Sequence, residues 1–113
     1  MSLNNKIYSA LAEQTADHIM VTDPKGKILY VNPAFERLTG YRKDEILGKT
    51  PRIMKSGHHD QEFYATMWDT ILAGNIFQGM TINRKKDGAL YYEEKIITPL
   101  KDAAGKLTHL VST

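Results

Sequence analysis

The sequence predicts an α+β domain in which one antiparallel sheet carries helices over one face. Three observations predict it: a strand-turn-strand pattern near the N-terminus, a central block of capped helical segments, and three strand-like runs joined by tight turns at the C-terminal end. A hairpin at one end and a meander at the other can close into a single sheet, which the helical block between them then covers.

The elements follow in order. From Asn4 to Thr15, Ile7, Leu11 and Tyr8 fall on one side at helical spacing, which predicts a short amphipathic lead-in helix. Two runs rich in β-branched and aromatic residues, His18 to Thr22 and Lys27 to Val31, flank Asp23-Pro24-Lys25-Gly26, whose proline and glycine specify a turn. Asn32-Pro33 then opens a helix with a side-chain cap and a proline at the first helical position, and Gly40 closes it. Lys43 to Leu47 forms a second short turn ending at Gly48, and Pro51 to Met54 adds another.

The longest helical pattern runs from Asp60 to Ala73. Phe63, Tyr64, Met67, Trp68, Ile71 and Leu72 give it one broad apolar face, Asp60 can cap it, and Gly74 ends it. An aromatic stripe at this spacing is the packed face of a helix on a sheet before it is a cofactor box. The strands Phe77 to Arg84, Leu90 to Thr98 and Leu107 onward follow, with Asp87-Gly88 as a hairpin turn and a second turn around Asp102 to Gly105.

Composition narrows the function. With 113 residues the chain suffices for one domain, and 42% hydrophobic against 25% charged residues fits an ordinary core. The absence of cysteine excludes disulfides, thiolate metal sites, cysteine nucleophiles and cysteine photochemistry. A net charge of +2 with scattered basic residues gives no nucleic-acid signature. No apolar stretch is long enough to span a bilayer and the N-terminus lacks signal-peptide features, so a cytoplasmic setting without membrane contact is expected. Met1-Ser2-Leu3 reads as a cloning remnant, and the chain as a piece of a larger protein.

The first hairpin with NPAFERLTGYRKDEILGKTPRIMKSG, the helix HHDQEFYATMWDTILAG, and NRKKDGALYYEEKIITPLKDAAGKLTHLV resemble a PAS domain over about residues 8 to 113. The resemblance implies a five-stranded antiparallel sheet in order 2-1-5-4-3 with helices enclosing a pocket on one face. Together with length and helical spacing it predicts one domain over residues 1–113, with a lead-in helix over 1–15 and a core over 16–113. It also implies a sensory or dimerisation module, attached to an output such as a histidine kinase or a cyclic-dinucleotide cyclase.

PAS relatives hold flavin, heme, small acids or nothing. In LOV photoreceptors, which this chain resembles in its Asp-Gly hairpin, an asparagine matching Asn83 contacts the flavin ring, and an arginine matching Arg52 can hold the flavin phosphate. The photoactive cysteine would fall at Pro51, which excludes a covalent flavin adduct. A second flavin-contacting asparagine matches Glu93 and an aromatic matches Lys95, so opposite charges stand on the strand face expected to line the pocket. The competing reading makes Asn83 a turn-proximal polar residue, Arg52 a solvated cation, and Glu93 with Lys95 a solvent-facing pair.

His58 and His59 precede the long helix, near where heme-binding relatives place an axial histidine. The surrounding pattern of that subfamily is missing, and loop histidines are the favoured reading. Three consecutive residues, His58, His59 and Asp60, do not make a tetrahedral zinc site. Arg84-Lys85-Lys86 reads as a solvated hairpin tip. Glu93 and Glu94 point to opposite faces, and Ser9, Ser56 and Ser112 lie in no nucleophile turn, so the chain is not expected to be an enzyme. The expectation is a sensor that binds a small ligand or cofactor at Asn83, Arg52, Glu93 and Lys95. Its alternatives are a ligandless homodimerisation module and a flavin redox sensor.

Overall fold

The computed structural model describes residues 3–113, so Met1 and Ser2 lie outside it. In chain order the elements are α1 (Leu3–Gln14), β1 (Met20–Thr22), β2 (Ile28–Val31), α2 (Pro33–Thr39), α3 (Lys43–Ile46), a 3₁₀ turn (Pro51–Met54), α4 (Gln61–Leu72), β3 (Phe77–Arg84), β4 (Leu90–Lys101) and β5 (Leu107–Ser112). The five strands form one antiparallel sheet in the order β2-β1-β5-β4-β3.

The local signals act as their chemistry requires. Asn32 Oδ1 accepts the Phe35 N–H at 3.0 Å to cap α2, and Gly40 ends that helix at a φ of 79°. Asp60 Oδ1 accepts the Phe63 N–H at 2.9 Å to cap α4. Two strands depart from expectation. β1 begins at Met20 rather than His18, because the Ile19 N–H is taken by Asn32 Oδ1 at 2.8 Å.

β4 continues beyond Thr98 through Pro99 to Lys101. Ile96 exchanges both backbone bonds with Thr113 on the β5 side, so the nitrogen of Pro99, three residues on, faces the other flank. There β3 has already ended at the Phe77–Ile97 pair, and a proline without an N–H leaves no bond unmade.

The core comprises two clusters on the inner face. Met20, Ile28, Val31, Phe35, Ile46 and Met54 form one, beneath α2 and α3. Ile71, Phe77, Ile97 and Leu110 form the other, joined by Phe63, Met67 and Trp68 of α4. The lead-in helix is tied to this body by polar contacts. Asn32 Nδ2 donates to the carbonyls of Ala12 and Asp17 at 2.9 and 2.8 Å, and the Tyr30 hydroxyl donates to Glu13 at 2.9 Å. Partial burial and this Glu13 contact push the Tyr30 phenol up to about 12.

The hairpin tip at Arg84-Lys85-Lys86 is solvated at Arg84 and Lys86, as expected, and is also tied to the body of the domain. The Lys86 N–H donates to the Thr39 carbonyl at 2.9 Å, its ammonium pairs with Glu45, and Arg84 Nη1 donates to the Gly88 carbonyl at 3.0 Å. The loop after the 3₁₀ turn is fastened to β3 as well. Ser56 Oγ donates to the Ile82 carbonyl at 2.6 Å, and His59 Nε2 accepts the Ile82 N–H at 2.9 Å.

Candidate functional site

Between the two core clusters the helices stand off the sheet and leave a cavity of about 630 Å³, within the usual range of small-molecule sites, about 300–1,000 Å³. Its wall on the helix side is the α4 stripe: Phe63, Tyr64, Met67 and Trp68 all line it. The stripe therefore faces open space as well as core, a correction to its reading as packed surface alone. Trp68 also reaches the first hairpin, close to Gly26, where a Cβ would stand 3.6 Å from the indole. The floor is the inner sheet face, with Thr81, Asn83, Lys95, Ile97, Leu110 and Ser112.

The structure brings Arg52, Asn83 and Lys95 to this one cavity. Arg52 is exposed at the 3₁₀ turn, where its carbonyl accepts the Lys55 N–H at 3.1 Å, and its guanidinium makes no hydrogen bond or ion pair among the described residues. Asn83 sits opposite Tyr91 in the β3–β4 ladder and directs Nδ2 toward Glu93 Oε1 at 3.5 Å. Glu93 itself does not line the cavity; its role is one step back, as the partner of residues that do.

Glu93 and Lys95 share the inner face because residues two apart in a strand point the same way. Both are largely but not fully buried, with side chains 10% and 12% exposed, so they are not a solvent-facing pair. Lys95 Nζ lies 3.2 Å from Glu93 Oε1. On the other oxygen stands His18, the first residue of the predicted first strand: its Nε2 lies 2.6 Å from Glu93 Oε2. Neither atom of that contact has another hydrogen-bond partner among the described residues.

Burial is the largest single influence on the Glu93 carboxyl and acts to raise it. The hydrogen bond from His18, the charges of Lys95 and His18, and the Lys95 hydrogen bond together outweigh burial and hold it below the usual carboxylate range. The neighbouring Tyr91 phenol is pushed well up, first by burial and then by the Glu93 charge. Glu94 points outward, where its carboxylate accepts from Gln78 Nε2.

The histidines before α4 divide. His58 is exposed, whereas His59 lines the cavity and stacks on Phe63 with ring centroids 4.0 Å apart. Its Nε2 lone pair is engaged by the Ile82 N–H, so that nitrogen is a structural acceptor and not a free ligand for an iron centre. Among the described residues no three His, Cys, Asp or Glu side chains cluster as a metal site. No helix among them is long and apolar enough to cross a membrane.

A helix-covered five-stranded antiparallel sheet enclosing a cavity is the architecture of a small sensory domain. The family model for the PAS fold matches residues 6–113, and the chain belongs to the PAS family. It is 36% identical over 106 residues to a nitrogen fixation regulatory protein of Klebsiella oxytoca, covering 94% of this chain and 21% of that one. It is 31% identical over 109 residues to a blue-light-activated histidine kinase of Brucella ovis, covering 94% of this chain and 22% of the kinase. The chain thus spans about a fifth of the length of these curated relatives.

Among solved structures, an RNA-binding light-oxygen-voltage receptor superposes with a TM-score of 0.91 at 29% identity, over 97% of this chain and 32% of that chain. A PAS domain from Colwellia psychrerythraea superposes at 0.88 and 19% identity, over 96% and 92%, a likeness of fold alone. A PAS domain of this kind is a sensory module of regulatory proteins, and is not catalytic by itself.

Proposed function

We propose that this domain holds a small planar ligand or cofactor in its inner cavity and relays occupancy to an attached output domain, such as a histidine kinase or a cyclic-dinucleotide cyclase, in the cytoplasm. The observation that carries the proposal is the 630 Å³ cavity with an aromatic wall on α4 and polar groups on the opposing sheet. The route out is β5. Leu110 and Ser112 line the cavity while β5 pairs with both β1 and β4 at the middle of the sheet. A ligand acts on that strand only through different affinities for two packings of it.

Flavin fits this lining. Trp68, Tyr64 and Phe63 offer faces for a ring, Asn83 has an amide to meet a ring edge, and Arg52 is a free cation for a phosphate. The opposite charges of Glu93 and Lys95 do not oppose a ring, because they compensate one another and the carboxylate is withdrawn from the cavity. A bound flavin would supply redox chemistry, and Pro51 leaves no thiol for adduct formation there.

The test is an absorption spectrum of the purified protein, before and after incubation with flavin nucleotide and gel filtration. Retained flavin with a structured blue band is expected, and Asn83→Leu should weaken retention by about tenfold, the worth of one hydrogen bond in a closed site. A colourless protein after reconstitution overturns flavin and directs the search to colourless metabolites.

A second reading, a homodimerisation module, is favoured by unpartnered apolar surface. Ile7, Tyr8 and Leu11 on α1 and Met80 and Tyr92 on the outer sheet face are exposed, Tyr92 at 68%. Sedimentation at rising concentration is expected to show a dimer that Leu11→Glu and Tyr92→Glu dissolve. A monomer at every concentration removes this reading.

A further inference from the structure

The cations of the cavity are distributed unevenly for a chain of net charge +2. Four of them, Lys25, Arg52, Lys55 and Lys95, line it, and no aspartate or glutamate does. Three stand at its rim. Lys25, Arg52 and Lys55 are exposed, and Lys55 lies over the Tyr64 ring at 4.0 Å. Lys95 differs in being largely buried, its side chain 12% exposed, on the sheet floor beside Ile97.

An ammonium carries three hydrogen-bond donors. Lys95 has one polar partner among the described residues, Glu93 Oε1 at 3.2 Å. The remaining donors of a buried cation are expensive to leave unmade. Glu93, in contrast, is held by several groups, with His18 on its other oxygen and the Asn83 amide near the first. It keeps compensation if Lys95 turns toward an occupant, so the pair can share Lys95 without stranding a carboxylate.

We infer that Lys95 forms an anion subsite at the deep end of the cavity, and that the domain selects ligands whose aromatic or planar body ends in a buried carboxylate or comparable anionic oxygen. The inference rests on the cavity being a ligand site, as proposed above, and adds the charge of the end that enters first. A rim phosphate on Arg52 is a separate contact, because Arg52 stands in solvent and Lys95 does not. On the largely buried floor a charge-assisted bond discriminates more strongly than one at the exposed rim.

The test uses the sole tryptophan, Trp68 on the cavity wall, as reporter. The chain is titrated with 2-naphthoate and with its neutral isostere 2-naphthamide, following Trp68 fluorescence. The expected result is at least tenfold tighter binding of the acid. Lys95→Met should reduce the preference below twofold while leaving amide affinity within twofold, Lys95→Arg should preserve it, and Arg52→Met should leave most of it in place. Should Lys95→Met fold poorly beside an unpaired Glu93, K95M combined with E93Q removes both charges and is expected to bind the two probes alike.

Equal binding of the probes by the unaltered chain overturns the subsite while the cavity stands. A preference that survives Lys95→Met and vanishes with Arg52→Met assigns selection to the rim and also overturns it. If neither probe affects Trp68, the subsite falls, and the ligand cavity falls with it only where flavin is not retained either.

Discussion

Replacing Asn32 with alanine is expected to lower stability by about 3 kcal/mol and to free α1 from the domain body. The side chain is fully buried and makes four hydrogen bonds to three separate parts of the chain. The lost helix cap accounts for about 1 kcal/mol, and the remainder comes from the Ile19 N–H and the Ala12 and Asp17 carbonyls left without their partner. A fall in melting temperature on the order of 10 °C should follow. Asn32→Asp separates the two roles. Its carboxylate still accepts from Phe35 and Ile19, but it cannot donate to Ala12 and Asp17 and sets a negative oxygen against their carbonyls. Amide exchange in Asn32→Asp should therefore quicken over α1 while α2 stays protected. Unchanged protection of α1 would show that the clasp does not hold the helix.

What Asn32 does illustrates which parts of the fold were legible. Its capping role was written locally, in Asn32-Pro33 followed by an apolar run, as were the turns at Asp23-Pro24-Lys25-Gly26 and Asp87-Gly88. These are short-range statements, in which a side chain or a left-handed glycine satisfies a neighbour's backbone. The donor half of Asn32 reaches residues 20 and 15 positions away, and no local pattern announces that. The passage of β4 through Pro99 was hidden for the same reason, since it depends on where β3 stops. The strand order followed from resemblance to a family and agrees with the observed sheet.

At the site, period-two alternation placed Glu93 and Lys95 on one face, and the resemblance chose the inner one; both are there. Alternation also held an unused signal. His18 is two residues before Met20, a buried core residue, and the predicted strand over His18 to Thr22 would have turned both inward, although β1 itself starts only at Met20. Its pairing with Glu93 joins the segment before β1 to β4, which only the folded sheet brings near. The α4 stripe showed which face of the helix turns inward, but periodicity carries no information about the depth of the space beneath it. The cavity lies between Trp68, Met67 and Phe63 on the helix side and Thr81, Lys95 and Ile97 on the sheet side.

The charge pair on that floor carries the other large effect. Glu93→Leu is expected to cost about 3 kcal/mol near neutral pH, because it leaves Lys95 buried without its carboxylate and His18 without its partner. Glu93→Gln keeps the volume and an acceptor oxygen and should cost less, about 1–2 kcal/mol. The pH dependence has a definite sign. A carboxyl held below its ordinary value in the folded state binds its proton more readily when unfolded, so its stabilisation is present above the ordinary carboxylate range and is lost as pH falls through the depressed value. Denaturant unfolding of the native chain and of Glu93→Gln should thus differ most near neutrality and converge on acidification, with the native chain losing more. Had Glu93 been a surface residue, the substitution would change stability by less than about 0.5 kcal/mol at any pH. A difference that small near neutrality, or one that widens in acid, would mean that the contacts to His18 and Lys95 do not compensate the burial of the carboxylate. It would also remove the reason for Glu93 to stay ionised when Lys95 turns to an occupant, and stability and ligand selectivity would then have to be assigned to different residues.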